Sequence, residues 1–314
     1  MLRLCSFLAV VLCALPVRAE VELLTSIRPL QLIAAAIQDG VGSPEVLLPS
    51  GASPHRYALR PSDVRRVRQA QLFYWIGPDL EGFLPRILAE RSAPSLALQT
   101  LPGLQLRHFG ETQPASAETA HDEHDDHDHD HDHDHDHDHR PGTLDAHLWL
   151  SPHNARVIAA RMAGDLAAQD PANAARYQAN LAAFETRLAA LDARLSARLR
   201  PLQGKPFFVF HEAYDYFEAS YGLRHAGVFS LQGDVQPGAR HVAQMRDRLQ
   251  AAGASCVFSE PPLRPRLADT LSAGLPVRLA ELDAMGADLA LDGTAYERLL
   301  EQLGDGLADC LMAL

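Results

Sequence analysis

Residues 172–200 read ANAARYQANLAAFETRLAALDARLSARLR. Apolar residues fall at Tyr177, Leu181, Phe184, Leu188, Leu191, Leu195 and Leu199, in steps of four and three. That spacing keeps one face of a helix apolar over about 28 residues. Asp170-Pro171 starts the segment and Pro201 ends it, because proline suits the first helical turn and cannot continue a helix. Such a helix is about 42 Å long. Set between two groups of strands it is a stiff connector, and large hinge motion between the halves is not expected. A long helix packed on a single sheet is the plain alternative that periodicity leaves open.

On either side of this segment, short apolar runs alternate with helical patterns. Val21–Ile27, Val46–Leu48 and Leu72–Ile76 precede it, and Phe207–Phe210, Gly227–Phe229, Cys256–Phe258 and Val277–Leu279 follow. Each is short enough for a buried strand. Pro61–Ala70, with Pro61 and Asp63 in its first turn, and His241–Ala252 read as helices. Strands alternating with helices indicate an α/β protein with parallel sheets. At 314 residues the chain is long enough for two domains. The expected division is a leader at 1–19, an α/β domain at 20–171, the linking helix at 172–200 and a second α/β domain at 201–314.

Arg3 supplies a positive amino end, Phe7 to Leu15 is an apolar run, and Val17-Arg18-Ala19 places small residues where a signal peptidase cuts. About ten apolar residues cannot span a hydrocarbon core that needs roughly 20. Cys13 as a lipid attachment site is disfavoured by the bulk of Leu12 before it. No later stretch is apolar enough to cross a membrane, so the expectation is a soluble, exported mature chain in the periplasm. Cleavage removes Cys5 and Cys13 and leaves Cys256 and Cys310. In an oxidising compartment an even pair is most simply a disulfide; two buried thiols are the other reading.

The net charge of −12 suggests a strongly acidic surface, yet residues 121–139 hold nine Asp, one Glu and no Lys or Arg, and so carry −10 of it. The remainder is nearly neutral and has no basic footprint for nucleic acid. That tract contains His121, His124, His127, His129, His131, His133, His135, His137 and His139. It lies in a nearly apolar-free stretch, about 110–143, expected to be a disordered insertion. Imidazole and carboxylate together bind zinc, copper or nickel, but ordering a mobile chain costs entropy. The expectation is several weak, exchangeable auxiliary sites; a solvated linker without a metal role is the alternative.

Outside the tract, three histidines stand where ligands bind in open α/β sheets, beyond the carboxyl ends of strands. His55 follows the run Val46–Leu48, His147 precedes a helix, and His211 directly follows Phe207–Phe210; Asp283 occupies a similar place after Val277–Leu282. Three imidazoles suit tetrahedral zinc, with Asp283 or water in the fourth position. His108, His153, His225 and His241 read as structural or exposed, His153 being the one nearest to His147 in sequence. His211-Glu212 is not followed by a second histidine at the metalloprotease spacing, because position 215 is Asp. A zinc hydrolase is therefore disfavoured, and no Gly-x-x-x-x-Gly-Lys loop is present for ATP.

The strings Gly51–Asp63 (GASPHRYALRPSD), Asp145–Pro152 (DAHLWLSP), His211–Gly222 (HEAYDYFEASYG) and Leu282–Gly286 (LDAMG) occur in that order along the mature chain. Together they resemble the zinc-binding components of bacterial ABC metal importers, the ZnuA-type cluster. The resemblance implies two small parallel-sheet domains joined by one long rigid α-helix, with the metal in the interdomain cleft. It also implies that His55, His147 and His211 are the Zn²⁺ ligands. Pro54 stands where some zinc relatives carry Glu, which closes that route to a fourth ligand. His211 stands where manganese-binding relatives have a carboxylate, which favours zinc. Asp283 matches an acidic ligand of the manganese branch; direct ligand, partner of a histidine and bystander all remain open for it. The implied partner is the membrane permease of an ABC zinc importer, with a separate ATPase subunit and a monomeric receptor. A zinc buffer or metallochaperone that never docks on an importer is the alternative function.

Overall fold

The computed structural model describes residues 20–110, 142–230, 238–261 and 266–314. The expected leader and the His121 to His139 tract lie outside the described residues. The amino-terminal half runs β1 (Leu23–Thr25), α1 (Arg28–Ile37), β2 (Glu45–Val46), α2 (Pro61–Gln69), β3 (Leu72–Trp75), α3 (Pro85–Leu88) and β4 (Ser95–Ala97). Its four strands are parallel in the order β2-β1-β3-β4. Then come α4 (Pro152–Gln169) and α5 (Ala174–Leu199), which carry the chain to the second half. There β5 (Phe207–His211), α6 (Asp215–Tyr221), β6 (Gly227–Ser230), α7 (Ala239–Ala252), β7 (Ser255–Ser259), α8 (Arg266–Ser272), β8 (Val277–Glu281) and α9 (Ala295–Met312) follow. The second sheet is also parallel, in the order β6-β5-β7-β8.

Both sheets reverse direction of growth beside their first strand, so a crevice opens beyond the carboxyl ends of β1 and β3 and of β5 and β7. The two crevices are filled differently. In the first, the wholly buried Glu81 accepts the Ser26 hydroxyl at 2.5 Å and the Gly77 N–H at 3.0 Å. In the second, His211 ends β5 and Glu260 immediately follows β7. The second crevice thus presents the imidazole of His211 at its edge.

The long helix forms where the apolar steps placed it, with short 3₁₀ turns at Pro171–Asn173 and Arg200–Leu202 absorbing its ends. Tyr177, Phe184, Leu188, Leu191, Leu195 and Leu199 are buried, as the stripe predicts, whereas Leu181 is only half-buried. Asn180 joins the buried face instead, because its side-chain amide donates to the carbonyls of Ile37 at 2.8 Å and Asp39 at 2.9 Å. Those carbonyls belong to the unsatisfied end of α1. α5 packs on α4, α1 and α9, and so links the two sheets rather than covering one. A Cβ at Gly304 of α9 would run into Leu195 of α5, so the absence of a side chain there sets their close approach.

One apolar cluster runs through both halves and includes Leu30, Ile33, Trp149, Phe184, Leu188, Val209, Tyr296 and Leu303. Alternation along β5 sends Phe207 and Val209 into it, while Phe208 and Phe210 enter a second cluster with Phe229, Met245, Leu249 and Val257. Cys256 of β7 is disulfide-bonded to Cys310 of α9 across a sequence separation of 54. β4, at Ser95–Ala97, has no apolar run and was not among the expected strands; it is a half-exposed edge of the first sheet. Among the described residues, no helix is long and apolar enough to cross a membrane.

Candidate metal centre

Three separate segments bring His55, His147 and His211 together. His55 comes from the β2–α2 loop, whose exit is fixed by Asp63 in the first turn of α2. The Asp63 carboxylate accepts the Arg60 N–H at 2.9 Å and the Tyr57 hydroxyl at 3.0 Å. His147 stands before the 3₁₀ turn Leu148–Leu150, which leads through the cap Ser151 into α4. His211 is the last residue of β5. Ring centroids lie 5.4 Å apart for His55 and His147, 5.2 Å for His55 and His211 and 4.8 Å for His147 and His211. One nitrogen from each falls within 4.8 Å of the others. Tetrahedral zinc at about 2.0–2.1 Å from each nitrogen sets such atoms about 3.3 Å apart, which small side-chain rotations reach from here.

Two of the rings are held from behind by carboxylates. Asp145 Oδ1 lies 2.7 Å from Nδ1 of His147 and also accepts the His147 backbone N–H at 2.9 Å. Glu260 Oε1 lies 3.1 Å from Nδ1 of His211, and the Tyr214 hydroxyl stands 3.2 Å from the same oxygen. A carboxylate on Nδ1 fixes the ring and makes Nε2 the donor to a metal. Asp145 is wholly buried. Burial first, then the nearby Asp215, pushes its carboxyl well above the usual carboxylate range. A bound cation would offset that cost.

The structure does not bring Asp283 into the cluster. Its Oδ1 accepts the N–H groups of Met285 at 2.8 Å and Gly286 at 2.9 Å, and its Oδ2 accepts that of Ala287 at 2.7 Å. Gly286 has φ of 64°, the left-handed turn position that favours glycine. Asp283 thus builds its own loop, and the carboxylates that hold histidines are Asp145 and Glu260. Asp145 stood inside the quoted DAHLWLSP string; nothing at the sequence level marked Glu260. Of the remaining histidines, His153 Nε2 pairs with the Gly103 carbonyl at 3.0 Å and His241 Nε2 with that of Val228 at 3.0 Å. His225 belongs to a separate cluster with Glu212 and Asp215.

Two parallel sheets bridged by a rigid helix, with ligand-bearing loops meeting between them, define a two-lobed α/β solute-binding protein. Over residues 23–310 the chain matches the family described as zinc-uptake complex component A, periplasmic, and it belongs to that family. It is 40% identical over 294 residues to the high-affinity zinc uptake system protein ZnuA of Yersinia pestis, covering 93% of this chain and 92% of that protein. Against the protein of the same name from Brucella abortus (strain 2308) it is 36% identical over 308 residues, covering 91% and 90%. A crystal structure of ZnuA superposes with a TM-score of 0.74 at 23% identity, covering 93% of this chain and all of that one. The binding protein FpvC from Pseudomonas aeruginosa, solved with Mn²⁺, gives 0.74 at 20% identity, covering 94% and 99%. The likeness to these two structures is one of fold.

Proposed function

We propose that this protein captures Zn²⁺ in the periplasm with His55, His147 and His211 and hands it to the permease of an ABC zinc importer. The carrying observation is the convergence of three imidazoles from three distant segments, with carboxylates on two of them. Neutral imidazole donors suit zinc better than the oxygen-rich sets that manganese or magnesium take. Asp283 spends both oxygens on backbone N–H groups, so water takes the fourth position in this reading. Residues 1–19 act as a removed leader, ATP hydrolysis belongs to a separate subunit, and the receptor works as a monomer. The histidines from His121 to His139 act as accessory weak sites that load and unload quickly.

The test is Zn²⁺ titration of the mature chain against a competing chelator strong enough to silence weak sites. One tight equivalent is expected, and His55→Ala, His147→Ala and His211→Ala should each abolish it. Retention of tight binding in any one of them removes that residue from the shell. Delivery is tested by growth on limiting zinc with the chain or its variants as sole receptor. Growth that persists when the permease is deleted would favour a buffer over an importer component.

A further inference from the structure

One residue past His211 the chain enters a second group of metal-ligating side chains. Glu212, Asp215 and His225 each offer one ligand atom within 4.8 Å of the others. Glu212 lies just beyond β5, Asp215 opens α6, and His225 lies between α6 and β6. The α6 hairpin-like excursion between two neighbouring strands therefore folds its two ends onto one spot. His225 Nδ1 is 3.0 Å from both oxygens of Glu218 and 3.6 Å from Oδ1 of Asp215. Glu218 also accepts the His225 backbone N–H at 3.0 Å, which fixes the ring's position.

The carboxylates in mutual electrostatic range are Asp145, Glu212, Asp215 and Glu218; the basic groups facing them are His211, His225, Arg107 and Arg224. Glu218 is buried, while Glu212, Asp215 and His225 keep partial exposure, 12% for the Asp215 side chain and 14% for that of His225. The carboxylates that hold His147 and His211 are others, Asp145 and Glu260.

The geometry points to a second divalent-cation site formed by Glu212, Asp215 and His225, distinct from the three-histidine centre. One nitrogen with two carboxylate oxygens is a borderline donor set for a first-row divalent transition ion such as Zn²⁺. Binding there replaces the proton on His225 Nδ1 with the metal, and that proton leaves to solvent. Glu218 keeps its hydrogen bond to the His225 backbone N–H and so goes on fixing the ring's position. Asp145 is the group shared by the two centres, since it holds His147 and lies in electrostatic range of Asp215 and Glu212.

Crystals of the mature chain grown with excess Zn²⁺ would be measured on both sides of the zinc absorption edge. Two anomalous peaks are expected, one among the three histidines and one bounded by Glu212, Asp215 and His225. A peak at the histidines with none at the second cluster overturns the assignment. In solution, carbodiimide labelling of carboxylates would be read by peptide mass spectrometry at one equivalent of Zn²⁺ and at excess. Labelling of Glu212 and Asp215 should fall severalfold between those two conditions in the parent chain and stay unchanged in H225Q. Protection that is absent in the parent, or that persists in H225Q, overturns it as well. Retained tight zinc binding shows that H225Q has folded, and D215N with the same readout stands in for it otherwise.

Discussion

The indole N–H of Trp149 reaches the carbonyl oxygen of Ala284 at 2.9 Å, joining segments 135 residues apart. The Trp149 carbonyl in turn accepts the Tyr296 hydroxyl at 2.6 Å, and its ring lies 5.3 Å from that of His147. The two halves are thus tied together next to a candidate ligand. Trp149→Phe removes the donor and leaves the Ala284 carbonyl without it. The expected cost is about 1–3 kcal/mol in denaturant unfolding, with weaker zinc binding. Unchanged stability would mean that this bond does not hold the halves together.

Asp145→Asn keeps the shape of the group behind His147 but removes its charge. Loss of such a supporting carboxylate weakens metal binding by about 10–100-fold. The zinc-free protein should be no less stable, because burial disfavours the ionised carboxyl of Asp145 when no cation is near. Competition titration and unfolding of the zinc-free form check the two halves of this prediction. Equal affinity in the variant would remove Asp145 from the metal machinery.

Glu81 makes a pH prediction. Burial first, against the opposing hydrogen bond from Ser26, raises its carboxyl to about 7 from an ordinary value of 4.5. The folded protein therefore keeps a proton that the unfolded chain releases. The associated stability is fully present below about pH 4.5 and is lost as pH rises through about 7. It amounts to at most about 3 kcal/mol. Glu81→Gln should flatten the stability profile across that window. A parent profile that rises with pH there, with the same slope in the variant, would contradict the assignment.

The bridge between Cys256 and Cys310 pins α9 to β7. Replacing both with Ser should lower stability by about 2–4 kcal/mol on the chain-entropy argument. Zinc affinity should survive, since Cys256 is about 13 Å along the strand from Glu260. Unfolding and zinc titration of the double variant provide the check, and a large affinity loss would place the bridge in the metal site's support.

The long helix was legible because its signal is periodic over seven turns, and its buried stripe follows the steps of four and three at all but Leu181. Of the eight strands among the described residues, seven were legible as apolar runs; β4 was not, because Ser95–Ala97 is a half-exposed edge. The three histidines were legible by position, each near a strand end or a helix start. Asp283 was a different matter. Asp283-Ala-Met-Gly286 carries an acceptor followed three residues later by glycine, the composition of a tight turn, and its carboxylate accepts the N–H groups of that turn. Glu260 meets His211 across 49 residues of chain, and spacing along the sequence carries no trace of that contact.

The seating of α9 against both α1 and α5 bears on the order in which the chain can fold. Helix α1, buried along almost its whole length, obtains part of its cover from residues 295–312. A polypeptide that emerges amino end first therefore cannot finish its first lobe until its last helix has arrived. Such closure between distant segments makes folding slow. Until then an apolar flank stays open, and a chain carried across a membrane unfolded would remain threadable until its far end is through.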